Sequence, residues 1–509
     1  MVNTKTKEVA IGSCTCLASF DLRKYVPLVL VDFGAAAAQS IVDSGARNRK
    51  FIRDEMMKGT PPAEIIELLS DRDSQHQSRQ YGIVDLQGRS TTFTGSGANQ
   101  WAGGVTGVVG DIVYAIQGNI LTGACVVEAA ESAVVNTPGT IIEKLMAGME
   151  AARAMGGDGR CSCPGGDPTR CGCPPDSFTK SAHCGFIIAT RPGDTDGAFD
   201  SNGTAQGSYY MNHNVAGADS QSGDPDPVYQ LRDKYDLWRA SLIGHPDGLL
   251  SSWTLSDNLI PADGVSEAIL TFRFKDWQGT EVRPALDSIE IQYDLSGNGV
   301  ILVGPVSENG DGSYSCVLRS SPIPGRDVFR IVVHDSIRDV TVSPFPEVFS
   351  YPLQPRDILP QDFTILYGSL VSGGLSQLGS SDDQRLEVSS VPQNLPAALV
   401  HLGDVRIGFV SRWPNVVSLA LKVESRNSLP GSFQELRLFN IASQKWDLVH
   451  SDYTDVTDKT VLVADIKSPS DYFDAARRAS LRVIHRNSNR AAGFTMGIDA
   501  AILTAAYGE

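Results

Sequence analysis

The chain contains no run of eighteen uninterrupted apolar residues, and so carries no candidate membrane-spanning helix. It is poor in positive charge: 43 Lys and Arg stand against 59 Asp and Glu, a net charge of -16, and no basic stripe or cluster breaks the pattern. Nucleic acids and anionic membrane surfaces are held by Lys and Arg neutralising phosphates, so neither is expected as a partner. A Walker loop, a dinucleotide fingerprint, an HExxH helix and a G-x-S-x-G elbow are also missing, and no cofactor is expected. Residues 1–12, MVNTKTKEVAIG, lack the apolar stretch of a secretory signal peptide, which at face value points to the cytoplasm.

What the sequence does hold is 41% hydrophobic residues over 509 positions, more than a single core accommodates. Up to Leu242, strand-like and helix-like patterns alternate. VAIGSCTCLAS and YVPLVLVDF read as strands, and helical signals run from Ala36 to Leu69. YGIVDLQGRSTTFTG reads as a hairpin, and VYAIQGNIL as a strand that breaks at Gly118-Asn119. TPGTIIEKLMAGMEAARAM and VYQLRDKYDLWRASL read as amphipathic helices, with the strand CGFIIATRPG between them. From Trp253 onward, short apolar runs separated by turns predict all-β sandwiches. Breaks at Gly244–Gly248 and in the Pro-rich SPFPEVFSYPLQP, residues 343–355, predict a semi-rigid linker and three parts: 1–247, 248–345 and 350–509.

Four of the nine cysteines, Cys161, Cys163, Cys171 and Cys173, crowd into the Gly- and Pro-rich loop RCSCPGGDPTRCGC. Two disulfides or a zinc ion could hold such a loop. Only one residue separates each pair, whereas zinc ligands are usually two to four residues apart, so disulfides and an oxidising compartment are expected, with zinc as the alternative.

Several strings carry a family likeness. SRQYGIVDLQGRSTTFTGSGANQWAGG, then YAIQGNILTG, then EKLMAGMEAARAMGGDGRCS, within a stretch from Lys7 to Trp238, resemble the bacterial domain-of-unknown-function family 1028. The resemblance implies the Ntn-hydrolase superfamily and its four-layer αββα sandwich. LSDNLIPADGVSEAILTFRFKDWQGTEV with GDGSYSCVLRSSPIPGRDVFRIVV resembles the invasin or bacterial Ig-like module, and DFTILYGSLVSGGLSQLGSSDDQRLEVSS onward is similar to a jelly-roll module of secreted bacterial proteins. The implied fold class is therefore a multidomain chain: an α+β Ntn-hydrolase-like sandwich followed by two all-β sandwich domains. The implied setting is extracellular, periplasmic or at the cell surface, with contact to a surface or carbohydrate through the C-terminal modules.

Ntn hydrolases use the side chain of their own first residue as nucleophile and its α-amine as base. The resemblance leads one to expect Thr and an apolar strand ahead of the turn Thr4-Lys5-Thr6-Lys7-Glu8, yet only the turn precedes VAIGS. The nucleophile and first strand are thus expected to be missing, either encoded ahead of Met1 together with a signal peptide or lost. Of the residues present, Gln117 and Asn119 at a strand end suit an oxyanion site, or a polar turn that satisfies itself. Arg79 suits a substrate carboxylate or a structural ion pair. Asp158 and Arg160 read as loop-closing groups, His183 as structural, and Ser13 and Cys14 as buried strand residues. Two functions follow: hydrolysis of an unidentified small amide or peptide by a longer form, or a non-catalytic extracellular binding or structural protein on the same scaffold.

Overall fold

The structure is a computed structural model that describes the chain apart from residues 43–44, 164, 166, 200–202, 205, 218–222, 353, 396–397, 455, 488–492 and 508–509. In chain order the first part holds β1 (Val2–Asn3), β2 (Val9–Thr15), β3 (Pro27–Leu30), β4 (Gly34–Ser40), α1 (Arg47–Lys58) and α2 (Pro62–Arg72). There follow β5 (Arg79–Asp85), β6 (Ser90–Thr94), β7 (Gly103–Val109), β8 (Ile112–Gly118), α3 (Cys125–Asn136), α4 (Ile141–Ala154) and α5 (Gly159–Ser162). The last elements are β9 (Cys184–Thr190), β10 (Met211–Val215) and α6 (Pro227–Ser241).

Two antiparallel sheets form, one in the order β10-β9-β2-β1-β8-β7 and the other β3-β4-β5-β6. Val9, Ile11, Phe186 and Ile188 from the first meet Val29, Ala35, Ala37 and Val84 from the second in one apolar layer. The opposite face of the larger sheet, with Ala10, Ile187 and Ala189, packs on Ile142 and Met146 of α4 and Leu231 of α6. The outer face of the smaller sheet, with Leu28, Ala36 and Ile83, packs on Ile52 of α1 and Leu69 of α2. Burial on both faces explains why β9 reads CGFIIAT with every residue buried. α4 starts at a capping box: Glu143 N–H donates to Thr140 Oγ1 at 3.3 Å, and Thr140 N–H donates to Glu143 Oε2 at 2.7 Å. Such a cap stabilises by roughly 1 kcal/mol.

One stretch corrects the sequence reading. Ala36 to Ser40 belongs to strand β4, not to a helix, and the helix starts only at Arg47. The alanines favour helix intrinsically. Here they alternate between the other sheet, through Ala35 and Ala37, and helices α1 and α2, through Ala36 and Ala38, and a small side chain suits both interfaces.

After residue 250 the structure is β-rich and antiparallel with few exceptions. The middle sheets are built on Glu267–Lys275 with Ser313–Arg319, and on Gly325–His334 with Ile289–Tyr293, around a core that includes Phe272, Phe274, Tyr314 and Phe329. The expected linker at 343–355 is not a linker. Glu347–Tyr351 is a strand, paired antiparallel with Gly325–His334 and parallel with Leu259–Pro261, and Phe349 and Tyr351 pack into the next core. Alternating apolar side chains outweigh the flanking prolines. The break at 244–248 is likewise anchored: Asp247 is buried, its N–H donates to Lys275 O at 2.7 Å, and Gly244 N–H donates to Asp276 at 3.1 Å.

The C-terminal part pairs two larger sheets. One has Leu386–Ser389, Thr495–Tyr507 and Val416–Asn427 at its centre, the other Ala398–Val410, Arg478–Asn487 and Phe433–Asn440. His485 lies fully buried between them, flanked by Asn427 at 3.2 Å and Gln434 at 2.9 Å. Burial pushes its imidazole down to about 3. An unfolded histidine titrates near 6.5, so between pH 6.5 and about 3 the unfolded chain binds the extra proton and stability falls with falling pH. Unfolding of this part should therefore become easier as pH drops below 6.5, and His485→Gln should flatten that slope. An unchanged slope in urea titrations at pH 7 and pH 5 would refute this.

Candidate functional site

Strand β1 is only two residues long, yet it sits between two seven-residue strands, β2 and β8. It pairs with β2 through Val2 and Val9, and with β8 through Val2 and Val113. The expectation of a wholly missing first strand is thus corrected: a two-residue strand occupies that place. Beyond it β2 and β8 run on with no strand of the described residues between them. A cavity of about 320 Å³ fills the interval, walled by Gly12, Ser13 and Cys14 of β2 and by Ala115, Ile116 and Gln117 of β8. It reaches both neighbouring layers, touching Ala37 and Gly82 of the smaller sheet and Ala130 and Met149 of the helices. A continuous sheet would separate those layers, so the cavity is a gap one strand wide.

The backbone polarity of the gap follows from the pairing. Met1 N donates to Ala10 O at 2.8 Å and Ala10 N–H donates to Met1 O at 2.9 Å, so Ala10 faces β1. Alternate residues of a strand face the same side, and Gly12 and Cys14 therefore direct their N–H and C=O groups into the gap. By the same rule Thr4 N–H, which donates to Asp111 O at 2.9 Å, sets Val113, Ala115 and Gln117 facing it from β8. Burial pushes the Met1 amine down to about 5.

At the far end the walls converge on polar groups. Asp158 accepts Cys16 N–H at 2.9 Å and Arg160 Nε at 2.9 Å, and Arg160 also donates to Thr15 Oγ1 at 3.2 Å. The pair closes the loop, as the sequence reading expected, but does so at the mouth of the cavity. Gln117 and Asn119 line it as well. The Gln117 amide packs directly on Gly82, where a Cβ would fall 2.2 Å from its Oε1, and that Oε1 is buried without a hydrogen-bond partner among the described residues. Ile120 follows in a left-handed backbone, φ 59°, costly for a β-branched residue. Its N–H donates to Asn99 O and its carbonyl accepts from Gly159 N–H at 2.8 Å, which fixes the bend beside Asn119.

Arg79 is not at this site. It is buried, donates from Nε to Asp73 at 2.8 Å, and reaches Ile41 O and Gln75. The arginine's hydrogen bond holds the Asp73 carboxyl down at about 2. Of the two roles the sequence allows, this geometry supports the structural ion pair. Ser13 and Cys14 lie within β2, and burial pushes the Cys14 thiol well up, keeping it protonated and a poor nucleophile.

The cysteine loop is tied more widely than expected. Only Cys163–Cys171 closes within it; Cys161 bonds Cys16 at the end of β2, and Cys173 bonds Cys125 at the start of α3. All four loop sulfurs are thus in disulfides, and the zinc alternative falls. His183 lies near the Cys16–Cys161 sulfurs, but these are joined to each other and not free to bind a metal. Cys16 and Cys125, which sequence reasoning left without partners, tie the loop to the end of β2 and to the start of α3. Gln39 also lines the cavity and carried no sequence signal.

The geometry defines an α+β region with a strand-wide cavity in its larger sheet, followed by antiparallel β modules. Residues 1–163 match the model of DUF1028, a family of unknown function, a stretch shorter than the resemblance drawn to Trp238. No curated protein matches the chain. Among solved structures it is similar to a DUF1028 protein of Silicibacter pomeroyi, at 16% identity and TM-score 0.34, over 46% of this chain and 85% of that one. It is also similar to the adhesin InvE of Yersinia pseudotuberculosis, at 10% identity and TM-score 0.18, over 49% of this chain and 58% of that one. A third likeness is to the carbohydrate-binding module TmCBM61, solved with beta-1,4-galactotriose, at 10% identity and TM-score 0.19, over 30% and 88%.

Proposed function

We propose that residues 1–247 form an Ntn-hydrolase-like αββα unit and that the cavity between β2 and β8 receives an extended strand whose first residue does the chemistry. The gap is the observation that carries this reading. A strand running antiparallel to both walls and leading into Met1 would carry its first residue to the end where Gln117, Asn119, Asp158 and Arg160 gather. A Thr, Ser or Cys there would supply the attacking side chain and its amine the base. The Asn119 amide would meet the oxyanion in this reading. The reaction class is amide-bond hydrolysis.

The test is a form extended by five residues that begins with Thr. It should melt at a higher temperature than the chain beginning at Met1 and cleave members of a chromogenic amide panel, with cleavage lost in the Thr→Ala version. The form beginning at Met1 should be inactive. Equal cleavage by both forms would place the nucleophile elsewhere.

One observation favours the rival reading, a non-catalytic extracellular binding or structural protein. Cys14, the one thiol in the walls of the gap, is held protonated, and Ser13 lies within a strand. In both readings residues 248–345 and those from about 350 onward act as Ig-like and jelly-roll-like docking modules that contact a surface or carbohydrate. Three disulfides support an exported protein, because such bonds persist in oxidising compartments.

A further inference from the structure

The C-terminal sheet presents an arginine row on its outer face. The strands Ala398–Val410, Arg478–Asn487 and Phe433–Asn440 lie side by side, and each buries alternate residues in the core: Val405 and Ile407, Leu481 and Val483, Leu436 and Leu438. The intervening residues face outward. In register, Arg406 stands opposite Arg482, and Arg482 opposite Arg437. Like charges directly opposite one another on a sheet are destabilising, and this protein is strongly acidic overall. Adjacent strands are ~4.8 Å apart, so the row spans roughly 10 Å, close to the length of a disaccharide.

Two buried or nearly buried carboxylates hold the row in place. Asp404 accepts from Arg482, with Nε at 3.1 Å, and Glu435 accepts from Arg437, with Nε at 2.9 Å, and from Arg486. Arg406 is exposed and has no ion-pair partner among the described residues. Five arginines, Arg406, Arg437, Arg478, Arg482 and Arg486, thus stand against two carboxylates on these three strands, and Arg478 is paired with Asp474 beyond them. Rings flank them on the same face. Trp446 packs on Phe439 at 5.2 Å with the Arg482 guanidinium 5.3 Å from its ring, and Phe433 packs on Tyr453 at 5.3 Å, with Tyr453 64% exposed.

We propose that this face binds an acidic polysaccharide, a chain of uronate-type sugars, with a sugar carboxylate on Arg406 and its neighbours and ring faces against Trp446 and Tyr453. The inference rests on the docking role proposed for the C-terminal part and deepens it by naming the surface and ligand class. Guanidinium pairs a carboxylate bidentately, and aromatic rings offer flat apolar area. Asp404 and Glu435 are buried and already paired to Arg482, Arg437 and Arg486, so Arg406 is the guanidinium of the row left, among the described residues, to meet a sugar carboxylate.

The experiment uses the full chain in native gels cast with polygalacturonate, with its methyl-esterified form, or with a neutral galactan, and a single-stranded oligonucleotide in a separate shift assay. Polygalacturonate should retard the protein, the esterified form much less. Arg406→Ala and Trp446→Ala should each weaken retardation at least tenfold; a circular-dichroism melt matching the parent would show that the fold is kept. Arg406 is exposed, so its variant isolates the ligand contact from stability. Equal retardation by acidic and esterified chains, or retardation unchanged in Arg406→Ala, overturns the arginine assignment while leaving a docking role standing. Preference for the oligonucleotide overturns the ligand class. No retardation by any of the three glycans overturns the inference and leaves surface contact as the docking role.

Discussion

Replacing Cys16 and Cys161 together by alanine should lower the stability of the first part by about 3–5 kcal/mol, a large share of the ~5–15 kcal/mol margin of an ordinary domain. The bond joins residues 145 positions apart, and in the chain-entropy account a cross-link restrains the unfolded chain more as the loop it closes grows. It also fixes the end of β2 to α5, on which Asp158 and Arg160 hold the cavity mouth. Urea titration of the double variant and its parent measures the loss. Alkylation and mass analysis should find three reactive thiols, those of Cys14, Cys184 and Cys316, in the unfolded oxidised chain, and nine after reduction. An unchanged urea midpoint, or nine thiols without reductant, would show that this clasp does not form.

The second large effect is expected at Arg191, buried at the end of β9. Its guanidinium donates to Glu8 at 3.1 Å and to Asp247 at 2.9 Å, and lies 3.6 Å from the Tyr210 ring centroid. Burial alone would raise the Asp247 carboxyl, but Arg191 outweighs it and holds the group below the usual carboxylate range. Arg191→Met leaves two buried carboxylates without their cation, a loss of ~3–5 kcal/mol. The sign with pH is definite. In the parent, Asp247 contributes stability that is present above the unfolded carboxylate pKa and lost as pH falls through its lower folded value. In the variant burial should raise the Asp247 carboxyl instead, so the deficit should shrink from pH 8 to pH 5. Adding Glu8→Gln and Asp247→Asn should recover much of the loss at pH 8. A deficit equal at both pH values would mean that packing, not charge, accounts for it.

Strands β2, β8 and β9 were legible because their apolar runs are long and their ends are marked by turn residues, as at Gly118-Asn119. The helix α4 was legible from Thr140 and Glu143 as well as from its periodicity. Strand β4 was not, since four alanines state a helical preference, and only the two layers pressing on them decide otherwise. The strand Glu347–Tyr351 was hidden by the prolines on either side, although Val348 packs in the middle core and Phe349 and Tyr351 in the next. At the site, Gln117 and Asn119 were found because a strand end with an amide is a local signal. Arg79 misled because its partner Asp73 sits across a turn, where a sequence offers acids in excess. The gap itself left no mark in composition or periodicity: it is a property of register between β1, β2 and β8, residues more than a hundred positions apart.

The short strand also has a mechanical side. The larger sheet is two leaves, β10-β9-β2 and β8-β7, stitched at one end by Val2 and Asn3 and clasped at the other by the loop that carries Asp158 and the disulfides. Between these points the leaves exchange no backbone hydrogen bonds among the described residues, so resistance to scissoring is concentrated at the two ends. A strand seated in the gap would turn the leaves into a single plate. Its presence would be felt as stiffness as far away as β10, the opposite border of the sheet, without any group there having touched it.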